Sequence, residues 1–120
     1  MEYVLRDKGD VTFVEITDKQ FIISEEQDAL DLAALCGENG TDRLLVGSEN
    51  LDDRFYNLKT GLAGAVLQKF SNYRILFAAV VAPDKLTGRF GELALEAGKG
   101  KSLRFFTGKN DAERWISGQG

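Results

Sequence analysis

The hydrophobic pattern opens with two β-rich runs, EYVLR at 2–6 and VTFVEI at 11–16, separated by Asp7, Lys8, Gly9 and Asp10. That short polar spacer with its glycine suits a hairpin, so the chain begins with antiparallel β. SEEQ at 24–27 reads as a capping box, Ser24 with Gln27, and Ala29, Leu32, Ala33 and Cys36 follow at i, i+3, i+4 and i+7. This spacing predicts an amphipathic helix ended by Gly37 or Gly40. RLLVG at 43–47 is short, apolar and bounded by turn residues, as a buried strand is. A helical piece around DDRFYNL then leads to a helix whose apolar stripe is Leu62, Val66 and Phe70, flanked by Ala63 and Leu67.

YRILFAAVV, 73–81, is the most continuous apolar run and stops at Ala82, Pro83 and Asp84. A central strand buried on both faces fits it better than a buried helix. Leu86, Phe90, Leu93, Ala94 and Ala97 repeat at helical spacing up to Gly98 and Gly100, and SLRFF then reads as a strand. Asn110 with Glu113 forms a second capping box before Ala112, Trp115 and Ile116 in a last short helix. The predicted order is ββαβ(α)αβαβα. It implies an α/β fold with an N-terminal hairpin, a mostly parallel sheet of about five strands and helices packed on it.

With 120 residues, 43% hydrophobic and 28% charged, the chain is expected to form a single α/β domain over 1–120. No apolar run reaches the roughly 20 residues that cross a bilayer, and no basic start with an apolar stretch marks a secretion signal. A cytoplasmic protein off the membrane is therefore expected. A lone cysteine, Cys36, agrees with a reducing compartment. Acids outnumber Lys and Arg by 19 to 15, which argues against a nucleic-acid surface. Another protein is the expected kind of partner, and a homodimer stays open as an alternative.

In open α/β sheets, ligands sit beyond the carboxyl ends of the strands. That rule singles out Ser48, Glu49 and Asn50 after the third strand, Asp84 after the fourth and Lys109 after the fifth as candidate binding residues. Caps and turns use the same residue types. Catalytic templates mostly fail. The chain has no histidine, so the usual hydrolase triads and His-based zinc sites are absent, and no phosphate-binding glycine loop occurs. Neither a catalytic residue, a metal site nor a cofactor is expected. Asp52 with Asp53 and Glu25 with Glu26 fall where helix first turns are expected, and Cys36, Phe105, Phe106 and Trp115 read as core.

The segment KTGLAGAVLQKF, 59–70, raises the question whether Thr60 is a switch or a helix cap. Gly61 and Gly64 read as sites where this helix approaches another backbone closely. FYNLKTGLAGAVLQKFSNYR, with ELALEAGKGKSLRFFTGKNDAERWI, resembles a family of small bacterial α/β proteins carrying a domain of unknown function. That resemblance implies a fold and a lineage without a reaction. TGLAGAVL is also similar, more distantly, to the SGLGxxL helix start of STAS domains, the anti-sigma-factor antagonists, although Leu58 and Lys59 stand where those proteins carry Asp and Ser. The STAS resemblance implies a non-catalytic regulatory module that binds protein, with Thr60 as the phosphoacceptor. The competing reading is that Thr60 is an ordinary N-cap. A small enzyme or metabolite binder at the strand ends is the alternative function.

Overall fold

The computed structural model describes residues 1–118. Tyr3–Lys8 (β1) and Val11–Ile16 (β2) form the hairpin, paired from Tyr3 opposite Ile16 to Lys8 opposite Val11, with Gly9 at φ 64° in the turn. The remaining elements are Glu26–Glu38 (α1), Arg43–Gly47 (β3), Leu62–Asn72 (α2), Leu76–Val80 (β4), Gly88–Gly98 (α3), Leu103–Phe106 (β5) and Lys109–Gly118 (α4). Short 3-10 turns occupy Ser48–Asn50, Asp53–Tyr56, Leu58–Thr60 and Pro83–Lys85. Strand order in the sheet is sequential, β1 to β5, with β2 through β5 parallel. The α/β hairpin-plus-parallel-sheet architecture expected from the sequence is the one observed.

Each crossover moves one strand in the same direction, and right-handed crossovers of one direction put their helices on one face. So α1, α2 and α3 share a face. Their Leu32, Cys36, Val66, Phe70 and Phe90 pack with Val14, Leu44, Val46, Phe77 and Ala79 of the sheet. Alternate residues turn the other way: Phe13, Leu45 and Ala78 meet Ala112 and Ile116 of α4. The apolar run through β4 is thus buried on both sides, because both faces carry a helix layer. Cys36 is fully buried, as are Phe55, Phe70 and Phe77.

Helix starts differ from the sequence reading. The N-cap of α1 is Glu25, and the carboxylate of Asp28 accepts from the N–H groups of Ser24 (2.9 Å) and Glu25 (3.1 Å); Gln27 instead bonds Asp31 at 3.0 Å. Asp28 wins because its short carboxylate reaches back one turn to two free N–H groups at once. Helix α4 already begins at Lys109, so Asn110 lies inside it, with the Ala112 N–H on the Gly108 carbonyl. The N-cap of α2 is Gly61 at φ 78°, one residue after Thr60. Gly64 is exposed, and a Cβ added there would meet nothing within 4 Å. Close approach therefore does not explain Gly64.

The exit of α2 carries a non-glycine in the left-handed region. Arg74 at φ 56° occupies the C′ position, its N–H on the Ser71 carbonyl (3.1 Å) and the Ile75 N–H on the Phe70 carbonyl (2.8 Å). This is the Schellman closure, with buried Ile75 and Phe70 supplying its apolar contact. Two predictions rest on these backbones. Gly64→Ala raises stability by about 0.5–1 kcal/mol in urea denaturation, whereas Gly61→Ala lowers it because φ is positive there. Arg74→Gly raises stability by about 1 kcal/mol in the same assay, since αL costs an L side chain roughly that much; an unchanged or lower midpoint would refute this.

Candidate functional site

The carboxyl ends of β2, β3 and β4 frame a cavity of about 210 Å³ on the α4 face. Its floor is Leu45, Val46 and Val80; its rim is Glu15, Ser48, Glu49 and Lys109. Glu15 shares the β2 face of Val11 and Phe13, so its side chain is directed beneath α4 rather than into bulk water. Only 9% of that side chain is exposed, whereas its cationic partners Arg6 and Lys109 are 44% and 53% exposed. The Arg6 Nε donates to one carboxylate oxygen at 2.9 Å and the Lys109 Nζ to the other at 2.8 Å. Burial pushes the Glu15 carboxyl up, but the Lys109 and Arg6 hydrogen bonds and charges together outweigh it and hold the value below 4.5. A lysine at a helix N-terminus opposes the helix dipole, and the Glu15 carboxylate offsets that.

Ser48, Glu49 and Lys109, singled out in the sequence, meet at this cavity. The Glu49 carboxylate curls over Gly47, where an added Cβ would stand 2.7 Å from its Oε1. Asn50 does not line the cavity and is 0% exposed. Its Oδ1 accepts from the Gly47 N–H at 3.0 Å and its Nδ2 donates to the Asp18 and Phe21 carbonyls, both at 2.9 Å. With these bonds made and no exposure, Asn50 holds the 18–23 segment rather than a ligand. Asp84 is placed elsewhere, in the turn after β4, where its charge acts on Tyr56. Burial first, then Asp53 and Asp84, pushes the Tyr56 hydroxyl up to about 12. Lys85 lies 4.9 Å over the same ring.

Thr60 is exposed just ahead of α2. Its hydroxyl lies 2.7 Å from the Arg54 carbonyl and 2.8 Å from that of Asn57, and accepts from the Leu62 N–H at 3.2 Å. It supports the helix start from the position before the N-cap. The Cys36 thiol is pushed up to about 12 by burial and then by the Asp42 charge. Among the described residues no group of three or more His, Cys, Asp or Glu is placed to hold a metal ion, and no helix is long and apolar enough to cross a membrane.

The sequence reading missed Glu15, Arg6 and Arg43. Glu15 had a legible signal: an acid in phase with Val11 and Phe13 on an otherwise apolar strand face. Arg43 had none, because its Nη1 reaches the Ile116 carbonyl at 2.6 Å, 73 positions along the chain.

An α/β domain with a hairpin-led sheet and a charged cavity at the strand ends is the class this geometry defines. Residues 8–116 match the family described as Domain of unknown function (DUF4180), and the chain belongs to that family. No curated protein and no solved structure matches it.

The pH dependence of stability follows from Glu15. Its folded value lies below the unfolded 4.5, so the ionised carboxylate stabilises the fold above that pH, and the contribution is lost as pH falls through the folded value. Because both partners are largely solvated, Glu15→Gln is expected to cost about 1 kcal/mol at pH 7. The difference from the parent protein should narrow in acid unfolding curves as pH falls below 4.5 and through the lower folded value; a difference that stays constant across that fall would show the carboxylate charge is not its source.

Proposed function

We propose that this chain is a non-catalytic module that binds a protein partner and regulates it, with the carboxyl end of the sheet as its recognition surface. One observation carries the reading. Glu15 is the only buried carboxylate among the described residues, and its pKa is displaced downward, away from proton transfer near neutrality. A carboxylate recruited as a general acid or base at neutral pH is displaced upward instead. The cavity beside it, at about 210 Å³, falls below the roughly 300 Å³ at which ligand pockets begin.

The STAS resemblance supports the same reading and extends it to a bacterial cytosolic regulator. Thr60 stands exposed at the start of α2, which leaves β3 at the sheet end that also carries Ser48, Glu49 and Lys109. A phosphate on Thr60 would take the place of its hydroxyl donor with negative charge beside the first N–H groups of α2, where charge of that sign is favoured. In the unmodified state the hydroxyl is a local support for the turn.

The test places a photo-crosslinking residue at exposed Lys59 in one variant and at Asp10, in the hairpin turn at the opposite end, in another. A protein captured from Lys59 and not from Asp10 is the expected result. A metabolite that raises the melting temperature with no protein captured from Lys59 would sink the proposal in favour of a small-molecule site.

A further inference from the structure

Beside β5 lies a second, larger concavity, about 630 Å³, between the strand and α3. Strand β5 ends the sheet and pairs only with β4. The Phe77 N–H donates to the Ser102 carbonyl and the Val81 N–H to the Phe106 carbonyl, both at 2.7 Å. Parallel pairing therefore turns the backbone of Ser102, Arg104 and Phe106 toward β4, and that of Leu103 and Phe105 toward the open edge. The wall opposite that edge is made of Gly91, Ala94 and Gly98, with Leu95 70% exposed at its lip. Ala94 and Gly98 leave depth for an incoming apolar side chain, whereas the place of a Gly91 Cβ is taken by the Leu86 carbonyl at 2.8 Å.

The lining also carries Lys99 and Arg104, and exposed Lys101 follows in the same turn. Lys99 is 3.3 Å from Glu96, but no carboxylate pairs with Arg104 or Lys101 among the described residues; the Arg104 guanidinium lies 5.9 Å over the Phe106 ring. This positive edge stands on a chain of net charge -4. A second copy is a poor occupant, since two β5 strands paired about a two-fold axis would bring Arg104 close to its own counterpart.

We infer that the open edge of β5 takes an extended acidic peptide segment of a partner protein as a sixth strand, its apolar side chains in the α3 groove and its carboxylates on Arg104 and Lys101. Main-chain bonds to Leu103 and Phe105 supply affinity that does not depend on the peptide's sequence, and the groove and cations supply choice of sequence. The inference rests on the protein-binding reading above and locates a surface separate from Thr60.

A blocked octapeptide alternating Glu with Val and Leu, titrated into the full chain, tests it by amide resonance shifts and hydrogen exchange. Expected are shifts confined to β5 and α3, increased protection of the Leu103 and Phe105 amides, and at least about tenfold weaker binding when Lys replaces each Glu. Gly98→Leu should fill the groove and weaken binding about tenfold; an ideal Cβ at Gly98 meets only the Arg104 Nε at 3.8 Å, so the helix tolerates it. Arg104→Glu should weaken binding similarly. No binding at millimolar peptide, equal binding of the Lys peptide, or a dimer built on this edge in light scattering overturns the inference. A crosslinker at Leu95 separates the two failures: a partner captured from Lys59 but not from Leu95 leaves the protein-binding function standing and removes the groove.

Discussion

One helix has to cover an entire face of this sheet. Helix α4 has ten residues and is about 15 Å long, whereas five strands span about 19 Å across the ladder. It rests over Phe13, Leu45 and Ala78, which are completely or almost completely buried, and only its first residue, Lys109, reaches the carboxyl end of β2. The consequence is polar. At that end the strand face carries Glu15 in place of another aliphatic residue, and the carboxylate is stable there because Arg6 from the neighbouring strand and Lys109 from the helix start both reach it. Arg43 performs a related task at the other end of α4, where a guanidinium on the Ile116 carbonyl meets the negative end of the helix dipole.

The opposite face has three helices and a different economy. Phe55, Phe90 and Phe105 meet edge-on, with ring centroids 5.9 Å apart for Phe55 and Phe90 and 5.2 Å for Phe90 and Phe105. Helices α1 and α2 are further joined by the Lys69 and Glu26 ion pair at 3.1 Å. The chain between β2 and α1 is held by Asn50 rather than by packing alone. That amide satisfies one N–H and two carbonyls in a place closed to water, where an unpaired group costs about 1–3 kcal/mol. The Ile23 N–H on the Asn50 carbonyl at 2.7 Å and the bridge of Ile23 to Leu51 complete the junction. Polar residues after β3 thus divide their labour: Asn50 faces inward, Ser48 and Glu49 outward.

Much of the architecture was legible because each element carries its own periodicity. The stripe Leu62, Val66 and Phe70 is buried as its spacing requires, and the run through β4 is buried on both faces as its lack of alternation requires. Helix starts were less legible, since Ser24 and Asn110 head capping-box patterns whereas α1 begins after Glu25 and α4 already at Lys109, and the choice depends on which side chain reaches a free N–H. The candidate site was legible only in part. Ser48, Glu49 and Lys109 follow from the rule that strand ends bind, but the same rule also returned Asn50, which is sealed inside, and Asp84, which lies beside Tyr56.

Local order in the chain was enough to determine the elements, their succession and the parallel sheet, because a 3.6-residue or two-residue repeat is a property of neighbours. Tertiary structure alone decided that Glu15 is paired twice, that Arg43 bonds α4, and that β5 is left with an open cationic edge. Those facts join residues far apart in sequence or depend on which strand comes last, and no periodicity encodes a contact whose partner lies on another element.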